Sequence, residues 1–464
     1  MVTSTPFESP ARVFQWLSGY TNLENGQTFR DFRLDRMTAL ADLAGRPEKC
    51  APSIHVAGSK GKGSVTGMIA AILTASGIRT SRYQSPHVND FRERISTGSG
   101  FFDDNIYINA GNELKCLLEK YKLSGTSCND GEDPTFFELM TLWFFLCSRL
   151  AFVDAMAVET GMGGRLDATN ILTPLLSVIT LIELEHTEYL GNTIAAIAGE
   201  KAGIIKSGRP LVLAEQSAEA LEVFKKSTVQ KNSLLLYFPD IAEIKDLSVN
   251  KDGTTFSLSI KEQKKPGLVI ESQTYNKLFI PMSGEIQAKN AGLAILSVKT
   301  VFPRITEEHI RKGLASFSLP ARFEKISQTP IFIVDGSHTP HSMDLCIETF
   351  TSLYGKDGIL IFGCAADKDT RSMAKLCLPN FSRVIITKPG TFKKSYPEEI
   401  YSAFTREAQL LLKALDILFI PETRNAIDKA IELALKYKAP VLGTGSFYLS
   451  GEIRSHLLNI RIQK

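Results

Sequence analysis

No apolar run in this chain reaches the length that a bilayer-spanning helix needs; the most apolar stretches, 139–150 and 175–184, are too short or too polar. Cysteine is sparse and irregular. Cys50, Cys116, Cys128, Cys147, Cys346, Cys364 and Cys377 form no CxxC pair and no regular spacing. An odd, dispersed set excludes a disulfide framework and a cysteine zinc site, and suits buried thiols in a reducing compartment. An excess of one charge is missing too: 53 Lys and Arg against 50 Asp and Glu leave a net charge of +3, which gives no basic surface for nucleic acid. Short pairs such as Lys225-Lys226 and Lys393-Lys394 read as solvated faces. The first residues include Glu8 and lack a basic start before an apolar core, so no secretory leader is expected and a cytoplasmic location is. Without heptads, repeats or low-complexity tracts, nothing calls for an assembly, and a monomer is expected.

What remains is the composition of a globular protein, 44% apolar and 22% charged, on 464 residues. That length exceeds one ordinary core and implies two domains. Residues 12–46 read as helical, stopped by Gly45-Arg46-Pro47. A βα alternation comes next: strand 53–57, helix 64–76, strand 78–84, helix 135–150, strands 153–158 and 175–184, helix 193–202 and strand 210–214. Between about 230 and 282 short alternating runs at 234–237, 255–260, 268–271 and 278–281 read as a small antiparallel sheet, and a helix over 287–301 brings the chain back. Residues 316–320 look like a linker, beyond which strands at 331–334, 359–362, 384–387, 417–420 and 441–442 resume the alternation. The expected fold is α/β, with two domains at 1–318 and 319–464, each a mostly parallel sheet flanked by helices. The first is P-loop ATPase-like with the antiparallel sheet appended, and the second is smaller and Rossmann-like.

The segment 54–64, IHVAGSKGKGS, carries the strongest chemical signal. An apolar strand enters a glycine-rich turn that opens a helix, an arrangement that wraps backbone N–H groups around phosphate at a helix N-terminus. Gly61, Gly63 and Ser64 form the loop, Lys62 adds a point charge on the β- and γ-phosphates, and Ser64 offers a hydroxyl to phosphate-bound Mg²⁺. The spacing is GxxGKGS, since Val56 stands where the more common pattern has its first glycine.

Three polar residues sit just beyond a predicted strand. Ser85 succeeds 78–84, Glu159 succeeds 153–158 and His186 succeeds 175–184, so all three can gather where ligands bind open parallel sheets. A hydroxyl, a hard carboxylate oxygen and an imidazole can serve divalent metal ions. Taken singly, Glu159 reads equally well as a salt-bridged carboxylate, and His186 as a surface or satisfied core histidine. The stretch 159–170, ETGMGGRLDATN, leaves space for a ligand; Asp167 can accept hydrogen bonds from an amino-substituted heterocycle, and Arg165 can pair locally. Lys201 and Lys206 sit near a helix end, where cations complement the helix dipole.

Together these segments resemble the folylpolyglutamate synthase/dihydrofolate synthase family of the Mur-type ATP-dependent ligases. The resembling stretches are HVAGSKGKGS (55–64), SPHVNDFRERI (85–95), TFFE (135–138), ETGMGGRLDATN (159–170), HTEYLG (186–191), GEKAGIIK (199–206), LPARFE (319–324), DGSHTPHS (335–342), DKD (367–369) and GTGSFYLSGE (443–452). The resemblance implies that the loop of Gly61, Lys62, Gly63 and Ser64 binds ATP, and that Ser85 and Glu159 hold one Mg²⁺ while His186 serves a second. It implies a CO₂-derived carbamate on Lys201, an adenine contact from Asn290, and nucleotide contacts from Arg322 and Asp335 with His338 close by. Thr135, Phe136, Phe137 and Glu138, with Leu166, Asp167 and Ala168, match the region that holds the pterin end of the substrate. The implied reaction joins L-glutamate to dihydropteroate or a reduced folate, with Lys62, Lys201, His186 and Glu159 as its catalytic set. Lys60 stands where asparagine is usual, Glu185 where aspartate is usual, and Ser337 and Thr339 where alanine and asparagine are usual. Competing readings are a ligase acting on a cell-wall precursor and a nucleotide-binding regulator without catalysis.

Overall fold

The computed structural model describes residues 5–22, 33–123, 133–390, 394–411 and 415–462. Two parallel-dominated sheets organise them. The first contains β1 (Ser53–Ala57), β2 (Thr80–Tyr83), β3 (Ile95–Thr97), β4 (Ala155–Glu159), β5 (Leu176–Ile179), β6 (Leu211–Leu213) and β7 (Leu235–Tyr237), in the order β3-β2-β4-β1-β5-β6-β7. All its neighbours run parallel except β3, which pairs antiparallel with β2.

Both faces of this sheet are covered, which explains why β4, β5 and β6 read as largely apolar runs. The two-residue strand period sorts side chains between two cores. Ile54, Val56, Ala155 and Ala157 pack with the helices Lys62–Ala75 and Glu285–Val301 on one face. Met156 and Val158 face the opposite core, built with Pro10–Leu17, Asp35–Leu43, Asp104–Leu123 and Phe136–Leu150.

The helix expected over 12–46 is two separate helices where it is described, and its middle, 23–32, lies outside the described residues, as do Cys128 and Lys393. The run at 234–237, expected in the small antiparallel sheet, is instead β7, the parallel edge strand of the main sheet. Its three residues are too short for alternation to distinguish the two settings. The small sheet itself is β8 (Ala242–Asn250), β9 (Gly253–Ile260) and β12 (Gln273–Ile280) in the order β12-β9-β8, beside a two-stranded ribbon of β10 (Gln263–Lys265) and β11 (Leu268–Ile270). Much of β8 is exposed, so no apolar alternation marked it.

The expected linker is no solvated tether. Helix Glu307–Ser316 packs on Lys62–Ala75, and Phe317 and Leu319 are buried in the same core. A Cβ on Gly67 would lie 2.4 Å from the Phe317 ring, so that glycine admits the connecting segment.

The second sheet contains β13 (Glu324–Gln328), β14 (Ile331–Val334), β15 (Gly358–Phe362), β16 (Phe381–Ile386), β17 (Asp416–Phe419) and β18 (Val441–Thr444), in the order β13-β14-β18-β15-β16-β17. Only β13 runs antiparallel. Alternation again divides it: Ile333, Leu360 and Phe362 face one core, and Phe332, Val334, Ile359 and Ile361 the other. The two sheet units meet directly through Asn89, whose Nδ2 donates to the Gly451 carbonyl (2.7 Å) while its Oδ1 accepts from Arg454 (3.2 Å).

Candidate active site

Four adjacent parallel strands, in the order β2-β4-β1-β5, deliver the candidate residues of the first unit from their carboxyl ends. Glu159 is the last residue of β4 and lies in register with Val56 of β1. The glycine loop succeeds β1, Ser85 succeeds β2, and the segment leading to His186 succeeds β5. Ser59 and Lys60 both donate backbone N–H groups to the Leu181 carbonyl (2.8 and 3.2 Å), which ties the loop to the last of these segments.

The loop's shape depends on two glycines. Gly61 has φ +89°, and a Cβ there would stand 2.6 Å from Asn290 Oδ1; Gly58 has φ +146° and lies against Thr180. Asn290 is thus pressed onto the loop that precedes helix Lys62–Ala75. Lys62 Nζ donates to the Gly58 carbonyl at 2.8 Å, and Lys201 Nζ donates to the same oxygen at 2.9 Å. Two lysines more than a hundred positions apart therefore meet on one carbonyl. Lys201 also donates to Glu185 Oε1 at 2.8 Å.

Burial and charge push the neighbouring groups in opposite directions. Burial raises Glu159 to about 7, against the pull of Lys62 and Arg322. Burial acts the same way on Glu185, but Lys62, Lys201 and His186 outweigh it and bring that carboxyl down to about 2. Burial lowers Lys201 to about 8 despite Glu185, and lowers His186 to about 4, which leaves its imidazole neutral. Lys60 is likewise lowered by burial, opposed by Glu185 and Glu183.

These groups suit hard cations in part. Glu159 is 4% exposed, and one 3.4 Å hydrogen bond from the Ser85 N–H reaches its Oε2, so the buried carboxylate is sparsely compensated and Ser85 is beside it. No group of three His, Cys, Asp or Glu side chains able to hold a metal occurs among the described residues. That donor set fits Mg²⁺, which takes one or two carboxylates and completes its shell with phosphate and water.

The second unit contributes Arg322, Asp335 and His338. Arg322 lies between two non-glycine residues with positive φ, Ala321 (+53°) and Phe323 (+48°). Such backbone persists only when its surroundings over-determine it. Here the Gly336 N–H donates to Ala321 O (2.9 Å), and the Phe323 N–H donates to Asp335 Oδ2 (2.7 Å). The other Asp335 oxygen accepts from Ser337 N–H (2.8 Å) and the Ser337 hydroxyl. Asp335 thus also has the polar-cap role that the end of β14 implies. The Arg322 guanidinium rests 4.1 Å from the centre of the Phe447 ring, and the His338 ring meets the same phenyl edge-on at 5.5 Å. A Cβ on Gly336 would lie 2.0 Å from Phe447. Phe447 organises this side of the site; it belongs to the GTGSFYLSGE stretch but has no polar group to single it out in sequence. A small cleft between the units is lined by Gly63, Ser85, Glu159, Pro320, Arg322 and Phe447.

The segments expected at the pterin end are adjacent, but several of their side chains are committed internally. Thr135 caps helix Phe136–Leu150 in a reciprocal capping box with Glu138. Glu138 is 5% exposed and accepts from Arg36 Nε at 3.0 Å. Glu138, expected at the pterin end, here joins two helices. Phe136 is fully buried, whereas the half-buried Phe137 ring would be 2.4 Å from a Cβ on Gly161. Asp167, expected to accept from a heterocycle, accepts within the protein from the N–H groups of Gly161 and Met162 (both 2.9 Å), from Thr169 N–H (3.0 Å) and from the Thr169 hydroxyl. Leu166 is half-buried and Ala168 buried beside it. Arg165 does pair locally, with Glu200 at 2.9 Å. Its N–H donates to Glu200 O, and Gly164 lets the loop backbone approach Lys201.

The family described as "Mur ligase, glutamate ligase domain" matches residues 321–447. The folylpolyglutamate synthase of Lacticaseibacillus casei is 32% identical over 434 residues, covering 91% of this chain and 94% of that protein. The dihydrofolate synthase/folylpolyglutamate synthase of Bacillus subtilis is 32% identical over 91% of this chain and 94% of its own length. Among solved structures, Mycobacterium tuberculosis folylpolyglutamate synthase complexed with ADP and AMPPCP superposes with a TM-score of 0.84 at 27% identity, covering 97% of this chain and 99% of that one. Sequence similarity along almost the whole length and a shared two-unit α/β architecture lead to one assignment: the chain belongs to the folylpolyglutamate synthase/dihydrofolate synthase family of Mur-type ligases.

Proposed function

We propose that this protein uses ATP to join L-glutamate to a pterin-linked carboxylate, releasing ADP and phosphate through an acyl phosphate. The acceptor is dihydropteroate, a reduced folate, or both. The observation that carries the reading is the meeting of Lys62 and Lys201 on the Gly58 carbonyl beside Glu159 and Arg322. It concentrates cationic donors at the carboxyl ends of the strands, where a triphosphate must be cleaved.

The chemistry is dictated by the leaving group. A carboxylate is a poor acyl donor until a phosphoryl group converts its oxygen into a group that can depart. Gly61, Gly63 and Ser64 cradle the phosphates, Asn290 flanks the adenine, and Lys62 with Arg322 offsets charge on the transferring phosphoryl group. Asp335 holds the Arg322 turn and, with His338, flanks the nucleoside. The α-amine of glutamate then attacks the acyl phosphate and forms the amide. Mg²⁺, when bound, neutralises phosphate oxygens; Ser85 and Glu159 are the residues to hold one ion and His186 a second. The lowered Lys201 amine has a neutral fraction able to take up CO₂ as a carbamate. A carbamate there would place a second anion beside Glu185 and would supply oxygen ligands for a divalent cation. Phe137, Leu166 and Ala168 wall the pterin end, while Thr135, Phe136, Glu138 and Asp167 hold that wall in place. The division at 318/319 lets the two units contribute opposite sides of the nucleotide site. The enzyme is read as a cytoplasmic monomer.

The test is phosphate release from ATP·Mg²⁺ with L-glutamate and either dihydropteroate or tetrahydrofolate. Glutamate- and acceptor-dependent release is expected. Release only with a UDP-muramyl acceptor, or none above a glutamate-free control, overturns the reading.

A further inference from the structure

We propose that His55 is a positioning residue for the acceptor site: acting through Thr169 and Asp167, it fixes the glycine-rich turn at 161–164 against Phe137. The proposal rests on the ligase reading above, and on that turn forming part of the pterin wall.

His55 sits at the centre of β1 and is completely buried, in register with Val158 of β4 on one side and Ser177 of β5 on the other. Its Nε2 lies 2.8 Å from Thr169 Oγ1. Thr169 Oγ1 also contacts Asp167 Oδ1, and a threonine hydroxyl has one proton. With that proton given to the carboxylate, the Thr169 oxygen accepts from His55, which fixes the imidazole as the Nε2–H tautomer. Asp167 then holds the N–H groups of Gly161 and Met162. Gly161 lies directly on the Phe137 ring, where a side chain would clash. A continuous line of hydrogen bonds thus joins the strand under the nucleotide loop to the backbone of the acceptor wall.

The fold alone does not require an imidazole here. His55 Nδ1 is buried without a hydrogen-bond partner, a liability that an aliphatic side chain would avoid. What the imidazole supplies is one donor aimed at Thr169. Burial lowers its pKa to about 3, so it stays neutral at working pH and orients its partners without exchanging protons with substrate.

Four variants test this: Thr169→Val and His55→Leu break the line, whereas Thr169→Ser and His55→Gln keep a hydroxyl or a donor. The measurements are KM for the pterin acceptor, KM for ATP, and acceptor binding without ATP monitored by pterin fluorescence. Loss of one buried hydrogen bond predicts acceptor KM and Kd about tenfold higher in Thr169→Val and His55→Leu, with ATP KM changed less than about twofold. Thr169→Ser stays within about twofold of wild type, and His55→Gln recovers part of the loss. Unchanged acceptor affinity in Thr169→Val, equal loss for ATP and acceptor, or a serine variant as impaired as the valine variant overturns the proposal. The threonine pair decides the matter even if His55→Leu does not fold. A wild-type enzyme without acceptor-dependent phosphate release overturns the ligase reading and the proposal together; an active wild type indifferent to Thr169→Val overturns the proposal alone.

Discussion

Glu138→Ala separates a structural carboxylate from a substrate-binding one. In the structure the Glu138 side chain is 7% exposed and pairs with Arg36, itself 1% exposed. It also accepts from the Thr135 N–H at 2.7 Å and the Thr135 hydroxyl at 2.8 Å. Deleting one partner of a buried ion pair costs about 3–5 kcal/mol, because a buried charge loses the carboxylate that offsets its desolvation. The unmet Thr135 donors add about 1 kcal/mol, discounted because the same carboxylate serves both interactions. A total of about 4 kcal/mol is a large share of the ~5–15 kcal/mol that holds an ordinary domain together. At about 2–4 °C per kcal/mol, it predicts a fall of roughly 8–16 °C in the first unit's unfolding transition. Glu138→Gln keeps an acceptor for Thr135 but not the charge, and should lose about half as much. Scanning calorimetry, with urea unfolding monitored by circular dichroism, makes the comparison. A Glu138→Ala protein within about 1 kcal/mol of wild type, with acceptor KM raised tenfold, would refute the reasoning and return Glu138 to the substrate.

Other outcomes rest on the same geometry. Glu159→Ala and Lys201→Ala should each reduce product formation with both acceptors by at least about a hundredfold, the scale for one charged contact at a transition state; near-normal turnover in either refutes its assignment. Gly161→Ala places a methyl 2.4 Å from the Phe137 ring, so acceptor KM should rise while ATP KM holds, as steady-state kinetics can check. Acid should destabilise wild type more than His55→Gln. The folded His55 pKa of about 3 lies below the unfolded value, so its contribution is complete above about 6.5 and declines toward pH 3. The difference between urea-unfolding free energies at pH 7 and pH 5 should be about 2 kcal/mol larger in wild type, and equal declines contradict the buried neutral imidazole.

The sequence by itself determined the parallel α/β architecture, because strands buried on both faces must be largely apolar and the helices between them must be amphipathic or capped. It also determined where the glycine loop begins, since GxxGKGS is a local pattern whose turn needs Gly61 at positive φ. The placement of Ser85 and Glu159 was legible for a related reason: parallel strands carry their carboxyl-terminal residues and loops to one edge of the sheet. Tertiary structure alone decided which polar residues are spent on the fold. Glu138 and Asp167 look the same in sequence whether they face a substrate or a buried partner, and Arg36 and Thr169 supply those partners from other segments. The same holds for β7, whose three residues join whichever sheet edge is open, and for Phe447, an apolar side chain that carries Arg322 and His338. Local patterns record what the chain does to itself. The meeting of Lys62 with Lys201, and of His55 with Thr169, depends on long-range contacts that only the packed sheet creates.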